Sequence, residues 1–165
     1  MRLVKAPEDY LRILSLFYGY FSGLESLIDK FIGKDQLNDY ASRRKSQSIA
    51  NDITYFEGSL PVKATDDDLP AITNHLEAFG ALYVIEGSTL GGSIIARIMR
   101  KQLNTQSDNG FTFFDGYGDK TEEMWSSFKS ALSKQTQTEE ENQLIIKAAN
   151  ETFLKFSHWI NKCDQ

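Results

Sequence analysis

The sequence predicts an all-α fold in a single domain spanning residues 1–165, and three observations carry that prediction. Apolar residues recur at three- and four-residue spacing through most of the chain, the period of an amphipathic helix. No segment shows the strict alternation of a half-buried strand. Helix-start and helix-stop residues punctuate the periodic stretches, with no internal repeat and no low-complexity linker to divide them. A chain of 165 residues is also long enough to bury a core without staples.

Pro7-Glu8-Asp9 opens the first helix, with proline in the first turn and acids at the positive end of the macrodipole. Tyr10, Ile13, Leu14, Phe17, Phe21, Leu24, Leu27, Ile28 and Phe31 follow on one face, and Gly33 is the expected stop. Residues 35–57 form a more polar helical stretch that contains Arg43 and Arg44 and breaks at Gly58-Ser59-Leu60-Pro61. Asp66-Asp67-Asp68-Leu69-Pro70 reads as the start of the next helical region, which runs to about Leu103 with bends near Gly80 and Gly87 to Gly92. Residues 104–120 read as loop. Met124, Trp125, Phe128, Ala131 and Leu132 share a helical face, and Thr138-Glu139-Glu140-Glu141 has the form of a capping box. Ile145, Ala148, Ala149, Thr152, Phe153, Phe156, Trp159 and Ile160 then make the apolar stripe of a last helix.

Composition excludes several classes. A formal charge of −5 argues against a broad nucleic-acid surface. No run of about 18–20 apolar residues suggests a membrane span, and Met1-Arg2-Leu3-Val4-Lys5 leads into charge and helix rather than a signal peptide. The single Cys163 has no partner for an internal disulfide, so a reducing, cytoplasmic location is expected. No HExxH or Glu-x-x-His pair points to a metal site, and none is assigned. Cys163 and His158 sit at a spacing that turns them apart on a helix.

The most informative stretch is Gly80 to Arg97. It has helical periodicity, yet each interior glycine costs about 0.8–1 kcal/mol relative to alanine. Gly87, Gly91 and Gly92 fall within six residues, and Gly87 and Gly91 share a face with Ser88 and Gly92 beside them. A strip of nearly bare backbone results. It suits either close helix–helix packing or a flat ligand against a bent helix. The spacing is not that of a glycine phosphate loop.

The segment Tyr83-Val84-Ile85-Glu86-Gly87-Ser88-Thr89-Leu90-Gly91-Gly92 resembles the distal helix of the bacterial heme oxygenases, especially those found beside bacteriophytochromes. Weaker similarity lies in Arg43-Arg44 with Asp52-Ile53, in Leu69-Pro70-Ala71, in Phe111 to Tyr117-Gly118, and in Trp125, Phe128 and Leu132, so that it covers roughly residues 8–160. The resemblance implies a heme oxygenase-like helical fold. It also implies oxidative opening of heme, both substrate and cofactor, to biliverdin with release of iron and carbon monoxide. A ferredoxin or reductase would supply the electrons. By the same resemblance Gly87, Gly91 and Ser88 are the catalytic residues, with Ser88 holding a water. Gly87, Gly91, Gly92, Tyr117 and Lys129 contact the heme.

In that family the iron is held by a histidine about twenty residues ahead of the segment resembling Ala6-Pro7-Glu8-Asp9-Tyr10, on a helix that this chain, beginning at Met1, is expected to lack. Neither His75 nor His158 matches that position. The alternative expectation is therefore a catalytically inactive heme-oxygenase-like binding or interaction protein. The apolar surface uncovered by the lost helix is then expected to make the protein either a homodimer or unstable. Lys120 and Lys129 are the cations nearest the region where the family meets the heme propionates, with Arg97 and Arg100 as substitutes.

Overall fold

The computed structural model describes residues 4–163, and all regular structure among them is helical. Seven α-helices follow in order: α1 (Pro7–Ile28), α2 (Gln47–Tyr55), α3 (His75–Gly87), α4 (Thr89–Gln102), α5 (Thr112–Asp115), α6 (Thr121–Leu132) and α7 (Glu139–Cys163). The Asp9 carboxylate accepts the Lys5 and Ala6 N–H groups at 2.8 and 3.2 Å, closing the start of α1. Asn74 caps α3 by accepting the Glu77 N–H at 3.0 Å. Thr138 and Glu141 exchange hydrogen bonds at the start of α7, a true capping box.

Helix α3 lies at the centre. It packs most extensively against α7, and α1 lies against both of them. The core gathers Tyr10, Leu14, Tyr20, Phe21, Leu24 and Ile28 from α1 with Phe79 and Leu82 from α3, Phe113 and Phe114 from α5, and Phe128 from α6. Buried polar atoms are tied off locally: Tyr20 Oη donates to the Thr152 carbonyl at 2.8 Å and Trp159 Nε1 to the Leu16 carbonyl at 2.9 Å.

Several local expectations are corrected. Arg43 and Arg44 are not on a helix. A 3-10 turn at Tyr40–Ser42 ends in extended backbone at Arg43, which lets both side chains turn inward before α2 begins. The acidic run Asp66–Asp68 forms only a 3-10 turn, because Leu69 is extended ahead of Pro70, and α3 waits for the Asn74 cap. Gly80 does not bend α3, which continues through it. The segment expected to be loop contains α5, held by long-range hydrogen bonds that local composition cannot show. On α7 Phe153 faces outward at 57% exposure, whereas Ile145, Ala148, Thr152 and Trp159 are buried. Finally, His75–Gln102 is long and apolar enough by composition to cross a membrane, contrary to the expectation for the sequence. The helices of this protein bury 56% of its most apolar window, so packing accounts for that apolarity.

Candidate functional site

The boundary between α3 and α4 falls at Ser88, inside the glycine stretch. Ser88 keeps near-helical dihedrals (φ −63°, ψ −20°), and its N–H still bonds the Val84 carbonyl at 3.1 Å. Side chains have entered the ladder here. Ser88 Oγ donates to the Ile85 carbonyl at 2.6 Å, and Thr89 Oγ1 donates to the Glu86 carbonyl at 2.6 Å. Arg44 Nη2, arriving from outside the helix, donates to the Ile85 carbonyl at 2.8 Å and to Ser88 Oγ at 2.7 Å. Insertion of polar side chains among helix carbonyls is a recognised cause of a break.

The four glycines of α3 and α4 meet different surroundings. A Cβ on Gly80 would run into the Ile145 carbonyl oxygen and would lie 2.8 Å from the Ala148 methyl. At Gly92 it would run into the Phe114 carbonyl oxygen on α5. Both positions are backbone-to-helix contacts that admit only glycine. Gly87 differs: its nearest neighbour would be the Trp125 ring at 3.7 Å, ordinary contact distance. At Gly91 nothing lies within 4 Å. No packing inside the described residues explains the absence of a side chain there.

Gly91 belongs to an open stripe. Tyr83, Gly87, Leu90, Gly91, Ile94 and Ile98 follow the i, i+4, i+7, i+8 pattern along one face, and all but the half-buried Gly87 are exposed. Large apolar side chains thus line the outside of the helix, and such a contiguous exposed patch makes this stripe the candidate site. Beside it, Trp125 stacks against Phe128 and packs on Tyr83 at 5.1 Å between centroids. Lys129 Nζ stands 5.6 Å from the Trp125 ring centre, exposed to solvent. Tyr83 and Lys129 also edge a groove of about 580 Å³ between α6 and α7, floored by Leu132, Ile145, Ala149 and Phe153.

The flank of the same helix that borders this stripe toward Arg43 is charged and buried. Glu86, 1% exposed, pairs with Arg43 Nη1 at 2.6 Å, and Arg43 itself is 3% exposed and also holds Asp39 at 2.8 Å. Tyr117 Oη donates to the Glu86 carboxylate at about 3.0 Å and accepts the Arg44 N–H at 2.8 Å. Burial pushes Glu86 above the usual carboxylate range, while Arg43 and the Tyr117 hydroxyl work to keep it ionised. Burial also raises Tyr117, which stays a neutral donor. Below this cluster Asp52 accepts from Thr112 N–H at 3.0 Å, Thr112 Oγ1 at 2.6 Å and Phe113 N–H at 2.8 Å, fixing α5. Arg100 grips Asp115 with two bonds of 3.0 and 2.6 Å, fastening α5 to α4. The Phe114 carbonyl that requires Gly92 is thereby held from two sides.

Each residue singled out in the sequence can now be placed. Gly87 and Gly91 lie on the open stripe, and Lys129 stands near its Trp125 edge. Gly92 faces inward against α5. The Ser88 hydroxyl is turned to Ile85 and Arg44. The Tyr117 hydroxyl is engaged by Glu86 and the Arg44 backbone. Arg100 is committed to Asp115, and Arg97 is exposed. His75 is the exposed first residue of α3, and His158 is exposed on α7. Glu86, Asp52 and the inward course of Arg43 and Arg44 were not singled out as a unit. One signal was available: a carboxylate following Ala81-Leu82-Tyr83-Val84-Ile85 in an apolar helix must find a cation, and Arg43-Arg44 is the one adjacent arginine pair in the chain.

The family model described as Heme oxygenase matches residues 2–162. A protein of Xanthomonas campestris pv. campestris (strain 8004) named heme oxygenase is 25% identical over 149 residues, covering 90% of this chain and 87% of that relative. The match spans nearly the whole chain, and so the protein belongs to the heme oxygenase family.

Proposed function

We propose that this protein opens heme oxidatively to biliverdin, releasing iron and carbon monoxide, as a heme oxygenase of the bacteriophytochrome-associated kind. The observation that carries the reading is Gly91: a helical glycine on an exposed apolar stripe with nothing within 4 Å of its missing side chain. A glycine that costs helix stability and relieves no internal clash is best explained by something outside the chain that comes close to the backbone.

The described residues fit a porphyrin along this stripe. Gly87 and Gly91 would take the flat ring against bare backbone, with Leu90 and Ile94 as apolar borders. Lys129 would offer its ammonium to a ring carboxylate. Neither histidine lies on the stripe, so no residue is assigned to hold the iron among the described residues. Bound iron would supply the oxygen chemistry, and the protein supplies position, exclusion and electrostatics. Gly87 and Gly91 leave room that any side chain would fill. Ser88 gives its proton to Ile85 and one lone pair to Arg44, leaving one lone pair to orient a water. Tyr117 acts at one remove, steadying Glu86 under the helix.

Titration of the full chain with hemin tests this. Expected is a saturable, one-to-one Soret band that decays in air with ascorbate or a reductase to the spectrum of biliverdin. Broad absorbance that never saturates, with no decay, would remove the proposal.

A further inference from the structure

We propose that Arg44 is a positioning residue for the ligand face: its guanidinium, wedged under the break between α3 and α4, sets how Gly87 and Gly91 are presented. The inference rests on reading the glycine stripe as the place where heme binds.

The geometry is that of a fork with its prongs in two elements. Nη2 holds the Ile85 carbonyl at 2.8 Å and Ser88 Oγ at 2.7 Å, while Nη1 holds the Phe113 carbonyl at 3.1 Å. The guanidinium stands 4.3 Å from the Phe113 ring centre, stacked as well as bonded. Its own backbone N–H is tied to Tyr117 Oη at 2.8 Å. One side chain therefore connects the break in the glycine helix to α5, the element that Asp52 and Arg100 clamp.

Chemistry and location favour arginine here. The carbonyl end of α3 carries the negative end of its macrodipole, where a cation is stabilising. Burial draws the Arg44 guanidinium down to about 10, so it remains charged at neutral pH. Lysine would keep the charge but, as a point donor, would not reproduce a planar fork across two elements. Arg43 cannot take over, since Asp39 and Glu86 already hold it. Arg44 Nε is enclosed without a hydrogen-bond partner, an unfavourable arrangement that its other contacts must outweigh.

The test is amide hydrogen exchange on the ligand-free full chain, paired with hemin spectra. Arg44→Gln is expected to speed exchange across Ile85–Gly92 by roughly tenfold or more, the scale of a lost charged hydrogen bond, while Leu76–Val84 stays protected. Arg44→Lys should restore part of that protection, and the Soret maximum of bound hemin should move in Arg44→Gln and return toward wild type in Arg44→Lys. Unchanged exchange at Ile85–Gly92, or a uniform rise through α3, α4 and α5, would overturn the assignment. Should Arg44→Gln not fold, Ser88→Ala removes the hydroxyl bridging Arg44 to Ile85, and faster exchange confined to the same window is expected. No change there would equally overturn it. If wild-type protein fails to bind hemin, the functional reading falls and with it the ligand half of this proposal, while exchange still decides what Arg44 does to the break.

Discussion

The covered and the open positions of the α3–α4 helix use the same residue type and do opposite things with it. Gly80, where α7 covers the helix, and Gly92, where α5 does, are glycine because backbone carbonyls of those helices occupy the space of a side chain. On the outer face Gly87 has only the Trp125 ring at contact distance, and Gly91 has nothing. The inner glycines let helices approach closely, as small residues do wherever helices meet tightly. The outer ones lower helix propensity without a packing return inside the protein. The charges follow the same division. Arg43, Glu86, Tyr117 and Arg44 are knotted together inside, whereas the outer stripe is apolar, with Lys129 nearby at the edge of the Trp125 ring.

The contrast can be broken most severely from the inside. Glu86→Ala leaves Arg43 buried with Asp39 as its remaining carboxylate, and a loss of about 3–5 kcal/mol is expected on urea unfolding, the usual consequence of removing one partner of a buried pair. A loss under about 1 kcal/mol would mean that Asp39 alone suffices to hold Arg43. Next comes Gly92→Ala, whose methyl meets the clamped Phe114 carbonyl. A destabilisation of about 1–3 kcal/mol is expected from this overpacking, visible as a lower urea midpoint.

The outer face should answer with the opposite sign. Gly91→Ala has open space around it and should stabilise the protein by roughly 0.8–1 kcal/mol through helix propensity. Gly91→Leu should fold equally well by circular dichroism yet lose saturable hemin binding. Undiminished binding in that variant would reduce the stripe to an accident of composition. The smallest effect is on pH. Burial raises Glu86 above its ordinary value of 4.5, so the folded state takes up this proton at higher pH than the unfolded state. The contribution of Glu86 to stability is therefore greatest at low pH and falls as pH rises from about 4.5 through the raised value. Glu86→Gln should flatten that part of the stability profile, and an unchanged slope would show that the carboxyl is not titrating there.

Much of this was legible in the sequence, for reasons that differ by element. The Pro7 start of α1 and the Thr138 capping box of α7 are local chemistry and appear where the residues predict. The glycine helix was legible because glycines inside a helical period contradict propensity and so demand a cause. Helix α5 was not, because its start depends on Asp52, about sixty positions earlier in the chain. Arg43 and Arg44 fall within residues 35–57, a polar stretch that reads locally as helix. Their inward course is enforced by the cost of leaving Glu86 buried without a cation, a tertiary demand.

By itself, the sequence determined that the chain is helical, where most helices begin, and that residues 87–92 hold backbone bare on one stretch of helix. Periodicity and capping are short-range and can be read from neighbours. Only the tertiary structure decided which glycines are filled by another backbone and which stand open, and which of two adjacent arginines neutralises Glu86 while the other pins the helix break. A helical period fixes the angle at which each residue points but says nothing of what stands opposite. That is settled only when α5, α6 and α7 pack around α3 and α4.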